Sequence, residues 1–195
     1  MEPFTERQQQ IMNASIELIA EQSIQGLTIK NIAKKIKLTE GAIYRHFSSK
    51  NDILLGILQS FKDVSKKTLV ESCTSDMPAL EQIKSIFTHN VQYFNEKPAV
   101  TAVIFSEGNF QNDAHLSKEV FILLEMHERA LNCIIERGQK QNEIRNDIDE
   151  KELTRVFIGS IRYVVKKWRL SGFSFDLNAE FALILDSLTK MMAAR

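Results

Sequence analysis

Residues 28–50 read TIKNIAKKIKLTEGAIYRHFSSK, and the rest of the chain can be interpreted outward from them. Thr28 is a good N-cap residue, and the apolar residues behind it recur at helical spacing: Ile29, Ile32, Ala33 and Ile36. Thr39 can cap a second short helix, whose apolar contacts come from Ala42, Ile43 and Phe47. Because so few residues separate the two apolar sets, the helices cannot lie antiparallel and must cross steeply. The stretch therefore predicts a helix-turn-helix.

The second helix of this pair has the chemistry of a DNA reader. Its first turn, Glu40-Gly41-Ala42, has little side-chain bulk, so the backbone can approach base edges in the major groove. Side-chain hydrogen-bond donors and helix N-termini, both of which suit phosphate groups, flank this first turn in the sequence. Six Lys or Arg oppose the single acid Glu40 between residues 28 and 50, a local net charge of +5 in a chain whose total is zero. The predicted DNA-binding residues are Thr28, Lys30, Lys37, Thr39, Glu40, Gly41, Ala42, Tyr44, Arg45, His46 and Lys50.

The motif T-I-x-x-I-A from Thr28, followed by L-T-E-G-A-I-Y-R-H-F-S-S-K-x-D-I-L-L from Leu38, closely resembles the DNA-binding domain of TetR/AcrR-type transcriptional regulators. The resemblance covers roughly residues 8–58, and the spacing G-x-x-Y-x-H-F-x-x-K is its most specific part. Family members often carry glycine where this sequence has Lys37. A left-handed backbone is expected there, at a cost of roughly 1 kcal/mol for a side chain. The alternative to DNA binding is an amphipathic hairpin whose lysines only solvate its surface.

The composition favours an all-α protein with a substantial core, since 44% of residues are hydrophobic and only three prolines and seven glycines occur. Zero net charge argues against a polycationic binder. Cys73 and Cys133 lack metal-binding spacing and are expected to be small packing residues in a reduced compartment. No signal peptide is visible, and the longest apolar run, residues 99–105, is too short to span a bilayer. The expectation is a soluble, cytoplasmic protein that binds no membrane.

Apolar periodicity predicts nine helices, and the family resemblance implies that they form a TetR-like fold. The first runs from about Thr5 to Gln22, and Gly26 is suited to a left-handed turn after it. Polar breaks are expected at residues 72–78 and 108–113. The predicted division is a helix-turn-helix DNA-binding domain at residues 1–50 and a ligand-binding and dimerisation domain at 51–195. A long fourth helix, at about residues 49–71, connects them.

The last two predicted helices carry wider apolar faces than a surface helix normally shows. They are interpreted as a homodimer interface that forms a four-helix bundle with the symmetry mates, an interpretation that the family resemblance supports. The alternative is that both faces bury within one subunit. The predicted interface residues are Val156, Gly159, Ser160, Tyr163, Phe181, Leu185 and Leu188.

No catalytic signature has acceptable spacing, so no catalytic residue, metal site or cofactor is predicted. His127-Glu128 begins like H-E-x-x-H, but Leu131 occupies the last position. The isolated His89, His115 and His127 are expected to be hydrogen-bonded structural residues. The family resemblance implies an apolar effector pocket between the fifth, seventh and eighth helices, and Asn90, His127 and Tyr163 are polar candidates for core-facing positions. The candidate pocket residues are Phe87, Asn90, Phe94, Phe105, Phe121, Leu124, His127, Phe157 and Ile161.

These features predict a dimeric transcriptional repressor that binds a palindromic operator in double-stranded DNA. The family resemblance implies that a small effector releases it, and a long hydrophobic molecule, either a lipid-like or acyl ligand or an aromatic drug, suits the aromatic segment. The first alternative is a helical module that binds a ligand or a partner and whose helix-turn-helix is vestigial. An enzyme built in the helical core is the second, and the missing catalytic spacings oppose it.

Overall fold

The computed structural model describes residues 3–73, 76–105, 110 and 113–194. Within these residues the regular structure is α-helical, which confirms the predicted all-α class, and a 3-10 turn at Ile24–Gly26 follows the first helix. An isolated β-bridge joins Ile144 and Ala193. The helices are α1 (Glu6–Gln22), α2 (Ile29–Lys35), α3 (Glu40–Tyr44), α4 (Lys50–Cys73), α5 (Ala79–Glu96), α6 (Val100–Ile104), α7 (Ala114–Lys140), α8 (Glu150–Leu170) and α9 (Leu177–Met192).

The chain forms two compact units. The first comprises residues 1–62 and 97–121, and the second comprises residues 63–96 and 122–195. This division differs from the predicted boundary at residue 50, because α6 and the start of α7 group with the N-terminal helices. Helices α4 and α7 each begin in the first unit and end in the second.

The first unit is organised around α1, which packs against α2 and α6. A capping box starts this helix: the Thr5 side chain accepts a hydrogen bond from the Gln8 backbone N–H (3.3 Å), and the Gln8 side chain accepts one from the Thr5 N–H (3.0 Å). Its apolar stripe, which includes Ile11 and Leu18, is buried. This helix therefore supports α2, which in turn packs against α3.

The left-handed turn after α1 lies at Ser23 (φ 64°), so the expectation that Gly26 would adopt it is wrong. Gly26 is required for a different reason. A Cβ atom at Gly26 would lie 2.5 Å from the Gln22 Cβ, which is closer than two carbon atoms can approach. The chain thus needs its small residue where the 3-10 turn passes α1.

The second unit has a core of aromatic and branched side chains from α5, α8 and α9. The Phe87 ring lies 4.8 Å from the Phe157 ring and 6.4 Å from the Phe181 ring, between centroids. The end of α8 is fixed by Trp168, whose indole N–H donates to the Phe175 carbonyl oxygen over 3.0 Å. These contacts make the second unit a packed helical body of its own.

Two predicted loops fall partly outside the described residues. In the segment 72–78, α4 continues to Cys73, so the first two residues are helical rather than a break. Residues 74–75, 106–109 and 111–112 are not described, and the predicted 108–113 loop lies mostly among them.

Candidate nucleic-acid interface and associated surfaces

The two short helices begin at the predicted caps. The Thr28 side chain accepts a hydrogen bond from the Asn31 N–H (3.1 Å), and the Thr39 side chain accepts one from the Ala42 N–H (3.2 Å). Both caps satisfy backbone donors that the first helical turn leaves without partners. These bonds fix where α2 and α3 start, and therefore which side chains of α3 point outward.

Helix α3 buries one side and exposes its first turn. Ile43 is completely buried, whereas Tyr44 is 53% exposed and Glu40 and Gly41 are exposed. A Cβ atom added at Gly41 would meet no heavy atom within 4 Å, and Gly41 does not have a positive φ. The fold of this chain therefore does not require glycine at this position. What glycine supplies is close external access to the backbone of α3.

The turn between α2 and α3 has the predicted left-handed residue. Lys37 has φ 56°, and the next residue closes the turn through a 2.9 Å hydrogen bond from the Leu38 N–H to the Ala33 carbonyl. The Lys37 side chain is exposed. This turn joins α2 to α3, and its residue with positive φ adds an exposed cation just before α3.

The cations around α3 differ in what they contact. Lys35 forms ion pairs with Glu17 (3.2 Å) and Glu21 (2.9 Å) of α1, and these hydrogen bonds, Glu21 first, raise the pKa of Lys35. The charge of Lys35 therefore stabilises the contact between α1 and α2. The side chains of Lys30, Lys34, Lys37 and Arg45 are exposed. The positive surface that remains consists of these residues and of Lys50 at the next helix start.

Helix α4 starts immediately after α3, with polar groups arranged around its first turn. The Asp52 N–H donates to the Ser49 Oγ (3.1 Å), so Ser49 caps the helix, and the Ser48 N–H donates to the Asp52 carboxylate (3.1 Å). Lys50 and His46 are half-buried at this corner. All eleven predicted DNA-binding residues thus lie in α2, α3, their caps, the turn between them and this corner, and most of them are exposed.

The second unit has an apolar groove on α8 and α9 with a volume of about 640 Å³. Val156 and Tyr163 of α8 are 53% and 66% exposed, and Leu183 of α9 is 67% exposed. The exposure of Tyr163 excludes the core-facing position considered for it. The groove residues are Arg155, Val156, Gly159, Ser160, Tyr163, Val164, Glu180, Leu183, Ile184 and Ser187.

The remaining predicted interface residues are placed elsewhere. Phe181, Leu185 and Leu188 are 2%, 6% and 4% exposed, so they belong to the core of their own unit and not to its surface. These three residues belong to the strongest apolar stripe of α9, and that stripe faces inward. Leu183, which is exposed, and Ile184, which is half-buried, line the groove instead, and the apolar pattern of α9 contains them without distinguishing them from the core residues.

The candidate pocket residues are divided between the two units. Phe87, Asn90, Phe94 and Phe157 are buried in the second unit, where Leu124, His127 and Ile161 also lie. Phe105 and Phe121 belong to the first unit, and Phe121 is 62% exposed. The exposure of Phe121 excludes it from an enclosed lining.

His127 is the titratable group of this set. Its Nδ1 lies 2.8 Å from the Leu123 carbonyl oxygen, which agrees with the predicted structural hydrogen bond. Burial lowers the pKa of His127, and the charge of Arg162 lowers it further. A neutral imidazole that donates through Nδ1 is therefore the form that the unit favours.

Two further observations concern the described residues only. No three His, Cys, Asp or Glu residues are grouped closely enough to hold a metal ion, and none of the helices is long and apolar enough to cross a membrane. Cys133 is exposed, which corrects the expectation that it is a packing residue, and the side chain of Cys73 lies outside the described set.

Comparison with known proteins agrees with this architecture. Residues 11–57 match the family described as bacterial regulatory proteins of the tetR family, and residues 78–194 match the C-terminal region of MAATS-type transcriptional repressors. The fatty acid metabolism regulator protein of Bacillus subtilis is 23% identical over 179 residues, which cover 92% of each chain.

Solved structures have the same fold. The fatty acid degradation regulator FadR from Bacillus halodurans superposes with a TM-score of 0.85 at 18% identity and covers 100% of both chains. FadR from Bacillus subtilis in complex with stearoyl-CoA gives a TM-score of 0.79 at 22% identity, over 93% of this chain and 97% of that one. With the capped helix pair and the exposed α3, these matches show that the chain belongs to the TetR family of bacterial transcriptional regulators.

Proposed function

We propose that the chain is a homodimeric, ligand-responsive repressor that binds a palindromic operator and releases it when a hydrophobic effector binds. The observation that carries this proposal is the exposed first turn of α3. Gly41 has open space around its Cα and no role in the fold, and cations surround it. A backbone that can come this close to a surface of negative charge suits the major groove of a duplex.

Base and phosphate contacts are assigned to different residues of this surface. Gly41 and Ala42, assisted by Glu40 or Arg45, face the bases in the proposed complex. The phosphate contacts, which set the register on the duplex, are assigned to Thr28, Thr39, Tyr44, His46 and Lys50. Lys30 and Lys37 add charge beside them.

The proposed dimer forms through the groove on α8 and α9. Val156, Tyr163 and Leu183 are each more than half exposed in one chain, and burying them against a second copy removes apolar surface from water. Gly159 has no heavy atom within 4 Å of its Cβ position, so a partner helix can approach there. Two-fold symmetry then requires half-sites about one helical turn apart or a multiple of it, on the order of 34–36 Å per turn.

A long-chain fatty acyl thioester is the proposed effector. The second unit offers a core rich in aromatic side chains with a few polar groups, among them Asn90 and His127, which is the usual composition of a site for an apolar ligand. The Bacillus subtilis relative regulates fatty acid metabolism by its name, and a structural neighbour holds stearoyl-CoA. An aromatic drug is the alternative effector.

The experiment begins with selection of duplexes from a random library by the purified protein. The proposal predicts an inverted repeat that the protein shifts in a gel, with affinity that falls steeply as salt rises. Stearoyl-CoA should release it, because a coupling free energy of about 1–3 kcal/mol weakens binding roughly 5- to 150-fold. If selection enriches no inverted repeat, the proposed binding to a palindromic operator is refuted. If only aromatic compounds release the DNA, the proposed acyl effector is refuted.

A further inference from the structure

Two polar links tie the start of α4 to the start of α7 within the first unit. The Asn51 side-chain amide donates to the Asp113 carboxylate over 2.6 Å, and the Lys62 ammonium lies 2.6 Å from the Glu119 carboxylate. The residues joined are 62 and 57 positions apart in sequence. These are tertiary contacts that bring together two helices, and neither link involves the helix-turn-helix itself.

Asp113 serves both helices. One of its oxygens accepts hydrogen bonds from the backbone N–H groups of His115 (3.0 Å) and Leu116 (2.9 Å) at the beginning of α7, and the other accepts the Asn51 amide. These donors stabilise the ionised carboxylate, and the Leu116 N–H has the largest effect in lowering the pKa of Asp113. The N-terminus of α7 is therefore held against the first turn of α4, directly after α3.

The second link lies three turns further along α4. The side chains of Lys62 and Glu119 are only 22% and 19% exposed, so solvent screens this ion pair less than a surface pair. Val103, Ile104 and Phe110, in the segment between α5 and α7, are buried in the same unit. The two links are polar contacts between the first turns of α7 and α4 in this unit.

We propose that Asn51, Lys62, Asp113 and Glu119 are positioning residues for operator binding. This inference rests on the proposed dimeric repressor. Both links join the first turns of α7 to α4, the helix that directly follows α3, so in this proposal they hold the orientation of α3.

The effect of the two links on affinity appears only when both subunits of the dimer bind DNA together. A dimer whose two α3 helices are held at fixed orientations loses little conformational freedom when both enter their half-sites, whereas loosened subunits must be ordered at a cost. Binding to a single half-site needs no such ordering. Breaking a link should therefore weaken binding to the full operator and leave half-site binding unchanged.

The test compares the full selected operator with a duplex that contains one half-site. Glu119→Gln and Asn51→Ala should each weaken full-operator binding by roughly 2- to 30-fold, the usual range for a mutation that changes coupling between sites, without changing half-site binding. The swapped pair Lys62→Glu with Glu119→Lys should restore much of the affinity. Glu125→Gln, which removes an exposed ion pair with Arg129 on the same helix, is the matched control and should change neither affinity.

Several results separate the possible explanations. Loss of half-site and full-operator binding in equal measure would mean that the links only help the first unit to fold, and it would overturn the inference. An unchanged ratio of the two affinities in Glu119→Gln and Asn51→Ala, or a swapped pair that binds no better than Glu119→Gln, would overturn it as well. A wild-type protein that selects no operator would instead refute the proposed function.

Discussion

Replacing Lys37 with glycine should stabilise the fold and weaken DNA binding in the same protein. Lys37 adopts φ 56°, where a side chain crowds the backbone and costs about 1–2 kcal/mol. Glycine removes this cost but loses about 0.5–1 kcal/mol in backbone entropy on folding. The net gain in the free energy of unfolding should be about 0.5–1 kcal/mol, which corresponds to a rise in Tm of about 2 °C for a chain of this size.

The same substitution removes an exposed cation beside α3. If Lys37 contacts one phosphate, the slope of the logarithm of the binding constant against the logarithm of the salt concentration should become shallower by about 0.9. Fluorescence anisotropy with a labelled operator, between about 50 and 200 mM salt, measures that slope. Lys37→Arg is the control that keeps both the charge and the strain.

The two readouts can refute the reasoning separately. A Lys37→Gly protein that melts at a lower temperature would show that the lysine side chain stabilises the turn by contacts that outweigh the strain. A slope equal to that of the wild type would place Lys37 away from the phosphates. Lys37→Asn should match glycine in salt slope and lie between lysine and glycine in stability, because asparagine tolerates the left-handed region.

Three further predictions concern the other surfaces. Tyr44→Phe and Lys50→Ala should weaken binding to every duplex sequence. In a gel-shift titration, Lys50→Ala should also make the dependence of the binding constant on salt shallower by about 1. An unchanged slope would show that Lys50 contacts no phosphate. Tyr163→Glu should yield monomers in analytical ultracentrifugation, because it places a charge on the apolar groove of α8 and α9. Tyr163→Phe should stay dimeric. A dimeric glutamate variant would show that this groove is not the dimer interface. The lowered pKa of His127 means that the unfolded chain binds a proton more readily, so stability should be complete above about pH 6.5 and decline below it. Urea denaturation should show this decline flattened in His127→Gln, and an identical decline in both proteins would refute it.

The helix-turn-helix was predictable because local chemistry determines it. Thr28 and Thr39 are caps whose partners lie three residues away, and the left-handed turn at Lys37 follows from where α2 must end. Each of these features depends on a few neighbouring residues and on backbone geometry. The predicted reading surface could therefore be assembled from the sequence residue by residue.

The packing of the second unit was less predictable because it depends on contacts between distant residues. The apolar stripe of α9 identifies a buried face, but the pattern does not tell whether a core or a second subunit buries it. Phe181 and Leu185 face their own unit, and Leu183 faces outward. Likewise, nothing local in Asn51 or Glu119 indicates that each has a partner about sixty residues away.

The central claim, that α3 enters the major groove, is tested most directly by dimethyl sulfate protection of the selected operator. This reagent methylates guanine at N7 on the major-groove edge and adenine at N3 on the minor-groove edge. The account predicts that bound protein protects guanine N7 in two clusters about one helical turn, or a multiple of it, apart and leaves the adenines reactive. Protection of adenine N3 alone, or of neither base, would contradict it.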